Sequence, residues 1–167
     1  MTITMSLSAF TRFVTLLQPA TEKAVVRGLK AGGLVLVKEV TRQIGLQGLV
    51  DTGELRNSVS YHPAFDGCTV TVDAPHAVAL EYGARPFSAP LEPILAWVLR
   101  KGIASDEKEA TRIAWGIIGK FKKQGTRPHS FFRNGFHAAL PGIDAAIAKE
   151  LAKIGWQPNV SARSAIE

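Results

Sequence analysis

The spacing of apolar residues predicts one long amphipathic helix in the first third of the chain. Between residues 21 and 44 the apolar positions recur at helical intervals, and charged residues largely occupy the other faces. The apolar positions are Val25, Leu29, Leu36, Val40 and Ile44. Gly32 and Gly33 lie in the middle of this helix, where each glycine costs about 1 kcal/mol relative to alanine. Either another element packs closely against the helix at this point or the helix bends there, and we favour close packing.

Two short strands are predicted after the helix. Residues 57–65 and 68–74 are bounded by turn residues, and polar and apolar residues alternate in the second segment. This alternation indicates that one face of the strand is exposed to water. Asp66-Gly67 lies between the strands and is suited to the positive φ of a tight hairpin turn. We expect an antiparallel hairpin that ends before Pro75, since proline cannot donate to a strand ladder.

The remainder of the chain is predominantly helical in pattern. Helices are predicted over residues 91–101, 106–124 and 134–154, with Ser105 as the cap of the second and an interruption or restart of the third at Pro141. The order of helix, hairpin and helices predicts an α+β fold. In this fold the long N-terminal helix packs on a small antiparallel sheet and is followed by several helices.

A chain of 167 residues has the length of one domain. We expect an N-terminal segment over residues 1–18, a single α+β domain over residues 19–155, and a loosely ordered C-terminal tail over residues 156–167. The longest aliphatic run covers only residues 34–37, so we expect no membrane span. The lone Cys68 fits a reducing compartment, and the N-terminus lacks a basic leader, so we expect the protein to stay where it is made.

The charge balance favours acidic partners or nucleic acid. The chain carries 20 Lys and Arg against 14 Asp and Glu, which gives a net charge of +6. Lys120, Lys122 and Lys123 lie close together near a predicted helix end and are candidates for contact with DNA or an acidic partner. Cations at this position also interact favourably with the helix dipole, so a solvated face explains the same residues. A nucleic-acid-binding module therefore stays an alternative function.

Asp51-Thr52-Gly53 is the tripeptide that carries the catalytic carboxylate in aspartic proteases. Such a site needs two carboxylates that share one proton, so a single tripeptide requires a homodimer. These proteases have a second signature, two aliphatic residues followed by glycine and a basic or polar residue. The sequence Ile117-Ile118-Gly119-Lys120 matches it but lies inside a predicted helix. Glu54 would also add negative charge beside the two catalytic carboxylates. Asp51 and Glu54 also fit a helix-capping arrangement, which we favour. A dimeric aspartic protease through Asp51 is the less favoured alternative.

Other catalytic or ligand-binding chemistry has no support in the sequence. The four histidines lack metal-ligand spacing, and the Gly-rich nucleotide motifs and the hydrolase elbow are missing. Glu81 could in principle pair with Asp51, but a solvated surface carboxylate is the favoured interpretation. We expect no catalytic residues, no cofactor and no metal.

Three stretches taken together resemble one family, the gene-product-ten-like tail-completion or neck proteins of tailed bacteriophages, which are related in role to minor tail protein Z. The first stretch is similar to the family's TG-x-L-x-x-S-[IV] segment, and the second ends in its E-[FY]-G pattern. The third runs from an I-x-x-W helix to an RP-x-x-F segment at residues 127–131. The matching residues are Thr52, Gly53, Glu54, Leu55, Arg56, Ser58, Glu81, Tyr82 and Gly83. The resemblance spans roughly residues 20–153.

The resemblance implies a non-enzymatic structural component of a phage virion. Such a protein forms part of a ring in the head-tail connector, neck or tail top and is needed for tail completion or head-tail joining. The implied partners are copies of the same chain in a hexameric or dodecameric ring, and neighbouring connector, tail-terminator or tail-tube proteins. DNA passing through the ring is a further partner. Assembly is implied to occur in the bacterial host cytoplasm, with the protein finally located in the virion at the head-tail junction or tail top.

Two loops that contain Arg-Pro are candidates for contacts between subunits, because aromatic residues follow a rigid, extended backbone. The candidate interface residues are Arg85, Pro86, Phe87, Arg127, Pro128, Phe131 and Phe132. Each phenylalanine could equally pack in the core of its own subunit.

Overall fold

A computed structural model describes residues 1–6 and 19–156, and for residues 2–6 it describes the backbone only. Within these residues there are three strands, β1 (Thr2–Ser6), β2 (Val59–Ala64) and β3 (Gly67–Val72). The same residues form six helices, α1 (Pro19–Leu46), α2 (Glu54–Asn57), α3 (Ala77–Tyr82), α4 (Leu91–Arg100), α5 (Glu107–Gln124) and α6 (Phe131–Ala152). The predicted α+β fold, with a long N-terminal helix, a small antiparallel sheet and several further helices, is confirmed. The expected C-terminal tail lies, apart from Trp156, outside the described residues, as do residues 7–18 of the N-terminal segment.

The two longest helices, α1 and α6, pack against each other at glycine positions. A Cβ atom on Gly28 would lie 2.6 Å from the Cα of Ile147, and a Cβ on Gly32 would lie 3.0 Å from Cγ2 of Ile143. From the α6 side, a Cβ on Gly135 would lie 2.8 Å from the Cα of Val40. These glycines bring the two helix backbones closer than side chains would permit. The expected close packing at the centre of α1 is confirmed.

The sheet covers another face of α1. Gly33 faces this sheet, since an added Cβ would meet the Sγ of Cys68 and the ring of Tyr61. The strand order is β1-β3-β2 and both pairings are antiparallel. Strand β1 was not predicted from the sequence, because five residues of alternating polarity are too short a signal when no turn connects them to a partner.

The β2–β3 hairpin has a two-residue turn formed by Phe65 and Asp66, since Ala64 pairs with Gly67. None of the residues in this turn has positive φ, so the expected positive-φ turn at Asp66-Gly67 is wrong. The ring of Phe65 is 98% exposed at the tip of the hairpin. The turn backbone therefore demands no special residue, and Phe65 contributes no packing to its own subunit.

The core lies between α1, the sheet and α6. Its buried members come mainly from these elements and from the short segments beside them. They are Leu36, Val40, Ile44, Leu55, Val70, Val72, Ala74, Ala77, Phe131, Phe132, Ala139 and Ile143. Phe131 and Phe132 are 0% exposed, so their expected place in a subunit interface is wrong. Both rings pack in the core of their own subunit, where burial of a phenylalanine side chain is strongly favourable.

Two predicted helix details are corrected. Helix α6 continues through Pro141, although proline removes one backbone hydrogen bond, because packing on both sides of Pro141 holds the helix against α1. The N-cap of α5 is Asp106 rather than Ser105. The Asp106 side chain accepts a hydrogen bond from the backbone N–H of Glu109 at 2.7 Å, and the Glu109 carboxylate accepts one from the N–H of Ser105 at 2.9 Å.

Candidate functional site

Two loops with the same Gly-x-Arg-Pro pattern lie side by side. Residues 83–86 follow α3, and residues 125–128 follow α5. Ala84 and Thr126 form an antiparallel bridge in which each N–H donates to the other's carbonyl, at 3.2 and 2.9 Å. The Thr126 hydroxyl accepts a further hydrogen bond from the Ala84 N–H at 2.9 Å. The bridge fastens the end of α5 to the end of α3.

Glycine is required at the start of both loops. Gly83 has φ of 78° and Gly125 has φ of 69°, a region that other residues rarely adopt. A Cβ on Gly83 would lie 2.5 Å from the Thr126 carbonyl oxygen, and one on Gly125 would overlap the Ala84 carbonyl oxygen. The two glycines therefore permit both the turn out of each helix and the contact between the loops.

The remaining candidate interface residues are exposed. Arg85, Pro86, Arg127 and Pro128 lie on the surface. Phe87 is 40% exposed and stacks on Phe121, with ring centroids 5.4 Å apart. Neither arginine forms an ion pair among the described side chains. These residues are free to contact another molecule, and their role in subunit contacts stays a prediction.

Glu81 has a structural position that the sequence did not reveal. Its side chain is only 1% exposed, so the expected solvated surface role is wrong. One carboxylate oxygen accepts a hydrogen bond from the N–H of Phe132 at 2.8 Å, and the other accepts one from the N–H of Arg133 at 3.1 Å. Both donors belong to the first turn of α6. A carboxylate at this end of a helix satisfies free N–H groups and interacts favourably with the helix dipole.

The TG-x-L-x-x-S stretch, residues 52–58, forms the connection in which the chain turns from α1 into the sheet. Leu55 is buried in the core, and the Ser58 hydroxyl donates to the Leu55 carbonyl at 2.9 Å. Gly53 has φ of 86° and occupies the N-cap position of α2. Thr52, Glu54 and Arg56 are exposed. The buried and the positive-φ positions of this stretch thus shape the backbone.

Asp51 is part of an ion-pair cluster and does not cap α2. Its Oδ2 accepts a hydrogen bond from Nη2 of Arg100 at 2.5 Å, and its Oδ1 lies 3.9 Å from Nζ of Lys101. The expected Asp51–Glu54 capping arrangement is therefore wrong. The hydrogen bond from Arg100 lowers the pKa of the Asp51 carboxyl below its ordinary value. The same cluster links α4 to the segment that follows α1.

A cleft of about 830 Å³ lies between residues 48–55, α3, the ends of α4 and α5, and the second Gly-x-Arg-Pro loop. The apolar residues of its wall are Leu49, Val50, Leu55, Leu80, Trp97 and Phe121. Its charged residues are Arg100, Lys101, Lys120, Arg127, Asp51 and Glu54. Four cations against two carboxylates leave the cleft wall with an excess of two positive charges. Sequence reasoning missed this cleft because its walls come from segments that are far apart along the chain.

The three candidate lysines of α5 are all exposed. Lys120 lines the cleft, whereas Lys122 and Lys123 do not. None of the three forms an ion pair among the described side chains. Their contact with DNA or an acidic partner stays a prediction.

Within residues 1–6 and 19–156, no group of three His, Cys, Asp or Glu side chains is placed to hold a metal ion. Among the helices that the structure describes, none combines the length and the apolar character needed to cross a bilayer. No protein-family model, curated protein or solved structure matches the chain.

Proposed function

We propose that this chain is a non-enzymatic structural subunit of a tailed-phage virion. In this proposal it forms part of a ring in the head-tail connector, neck or tail top and is needed for tail completion or head-tail joining. The proposal starts from the resemblance of three sequence stretches to the gene-product-ten-like tail-completion family. Its localisation in the virion, after assembly in the host cytoplasm, follows from the same resemblance.

One observation supports this proposal above the others. Conspicuous residues of the matching motifs serve the architecture of the subunit: Leu55 is in the core, Glu81 holds the first turn of α6, and Gly83 permits the contact between two loops. An assembly subunit needs such a defined backbone, because ring contacts depend on the orientation of whole surfaces. The structural roles of these three residues require no reaction.

The surface also suits repeated contacts between subunits. A ring above a dimer requires two different surfaces on each subunit. The exposed Arg85-Pro86-Phe87 and Arg127-Pro128 stretches offer one rigid surface, held together by the bridge between Ala84 and Thr126. We propose copies of the chain, neighbouring connector, tail-terminator or tail-tube proteins, and passing DNA as partners.

A nucleic-acid-binding module is the second candidate function. The exposed Lys122 and Lys123, together with the net charge of +6, favour it. The protease alternative receives less support, because the Arg100 guanidinium favours the ionised form of Asp51, whereas an aspartic dyad needs a shared proton.

The proposed function is tested by the state of the purified protein and by its place in the virion. Native mass spectrometry and negative-stain microscopy should reveal closed rings, and labelled antibodies should bind phage particles at the head-tail junction. Portal and tail genes should flank the coding sequence. A protein that is missing from purified particles would overturn the proposal. Salt-sensitive binding of unrelated DNA by the isolated subunit favours the second candidate, and acid-optimal proteolysis that Asp51→Asn abolishes favours the protease.

A further inference from the structure

The tip of the β2–β3 hairpin carries an aromatic ring that its own subunit does not use. Phe65 is 98% exposed, and its neighbour in the two-residue turn, Asp66, forms no ion pair among the described side chains. The turn has no positive φ that would restrict its residues. A turn of this kind favours small polar residues, so local structure does not explain a phenylalanine here.

The cleft described above lies at the other end of the same two strands. Strand β2 follows Leu55 of the cleft wall, and strand β3 leads to His76 and Leu80 of the same wall. Each strand has 6 residues, so the tip lies about 20 Å from the cleft at a rise of about 3.3 Å per residue. A subunit cannot place its own tip in its own cleft, but the tip can reach the cleft of a second copy.

The tip and the cleft are complementary in chemistry. The apolar wall of the cleft offers Leu80, Trp97 and Phe121 to an aromatic ring, and its volume of about 830 Å³ exceeds what one side chain needs. Beside this wall, Lys120 and Arg127 are exposed cations without an ion pair among the described side chains. The carboxylate of Asp66 is the matching charge next to Phe65.

We infer that the Phe65–Asp66 tip of one copy inserts into the cleft of the next copy. Phe65 packs on the apolar wall, and the Asp66 carboxylate faces Lys120 and Arg127. Because the two surfaces differ, the contact is heterologous, and repetition of it produces a closed ring or an open chain. The inference rests on the proposed function in one respect, the closure of the contacts into a ring. The contact between two copies can be tested independently of that function.

A mixing experiment tests the direction of this contact. Phe65→Ala removes the aromatic ring from the hairpin tip and leaves the cleft intact. The double variant Lys120→Glu/Arg127→Glu reverses the charge of the cleft and leaves the tip intact. Each variant alone should associate at least roughly tenfold more weakly than wild type in sedimentation velocity, because buried aromatic anchors and central charges dominate interfaces. An equimolar mixture should form dimers and nothing larger, since only one intact tip and one intact cleft remain per pair.

Control variants distinguish loss of the tip–cleft contact from the effects of removing any exposed apolar side chain or of changing the net charge. Leu34→Ala removes an exposed apolar side chain from α1, where Leu34 is 57% exposed, and should leave association unchanged. Asp66→Lys should weaken association roughly tenfold, and adding Lys120→Glu/Arg127→Glu to the same chain should restore it. Circular dichroism and urea unfolding of each variant check that the subunit is folded.

The possible results distinguish failure of the tip–cleft contact from failure of the proposed function. A wild-type chain that stays monomeric at its highest soluble concentration, unchanged association of Phe65→Ala, or a mixture that forms no dimers would each overturn the contact. Closed rings that persist in Phe65→Ala would overturn the contact and leave the proposed function intact. Assemblies that require Phe65 but are missing from phage particles would support the contact and overturn the proposed function.

Discussion

The buried carboxylate of Glu81 accepts a hydrogen bond from the backbone N–H of Phe132 at 2.8 Å, across 51 positions of sequence. The Glu81 carbonyl also accepts a hydrogen bond from the N–H of Ser130 at 3.2 Å. Helix α6 begins at Phe131 without a side-chain cap of its own, since Ser130 does not cap it. Glu81 therefore replaces a local cap and ties α3 to the start of α6.

Glu81→Ala should lower the free energy of unfolding by about 2–3 kcal/mol, because one buried and one partly buried N–H donor lose their carboxylate acceptor. Glu81→Gln should be less destabilising, since one acceptor oxygen remains. Urea denaturation with an unchanged m-value measures the difference. Glu92→Ala removes an exposed carboxylate from the first turn of α4 and is the control for the helix dipole alone, so it should cost only about 0.3–1 kcal/mol. Equal stability of Glu81→Ala and wild type would contradict the role of Glu81.

The close contact between α1 and α6 predicts opposite effects of two glycine substitutions. Gly28→Ala places a methyl group 2.6 Å from the Cα of Ile147, so the helices must separate, at a cost of about 1–3 kcal/mol. Gly116→Ala in α5 meets no atom within 4 Å and should stabilise the protein by about 0.5–1 kcal/mol through higher helix propensity. Thermal unfolding of both variants measures the two signs. Stabilisation by Gly28→Ala would contradict the close packing.

The ion pair of Asp51 predicts a pH-dependent contribution to stability. The hydrogen bond from Arg100 lowers the pKa of Asp51 in the folded state, so folding favours the charged carboxylate. This contribution is fully present above the ordinary pKa of 3.8 and is lost as the pH falls through the lower folded value. The difference in unfolding free energy between wild type and Asp51→Asn should therefore be larger at pH 6 than in strong acid.

Salt and a second carboxylate provide the controls for Asp51. Because the pair lies at the surface, the difference should shrink in high salt. Asp144→Asn changes an exposed carboxylate on α6 that forms no ion pair among the described side chains, and it should change the free energy of unfolding little. A difference between wild type and Asp51→Asn that grows on acidification would contradict the lowered pKa.

Cys68 should be protected from thiol reagents in the folded protein. Its side chain is fully buried, its Sγ donates to the Leu29 carbonyl at 3.3 Å, and burial raises the pKa of the thiol. Labelling in increasing urea should therefore follow the unfolded fraction. Ser88→Cys in a Cys68→Ala background places a thiol at an exposed position and should react rapidly without urea. Rapid labelling of native Cys68 would contradict its burial.

Regular elements were largely predictable because their signals are local. The period of apolar residues located α1 to within two residues of each end. Both strands of the hairpin were found from the turn residues that bound them, and the second also from its alternation of polar and apolar residues. The glycines in α1 also indicated close packing, because a helix interior accepts glycine only at a cost. What they contact, Ile143 on α6 and Cys68 on β3, depended on elements remote in sequence.

The sequence by itself determined the helical and strand patterns, the α+β class and the local requirement for residues such as Gly83. Only the tertiary structure decided that Glu81 is buried under α6, that Asp51 pairs with Arg100, and that Phe131 and Phe132 belong to the core. It also placed the exposed Phe65 and the charged cleft at opposite ends of one hairpin. These relationships depend on contacts between distant segments, whereas the periodicity of side chains reports only the face on which each residue lies.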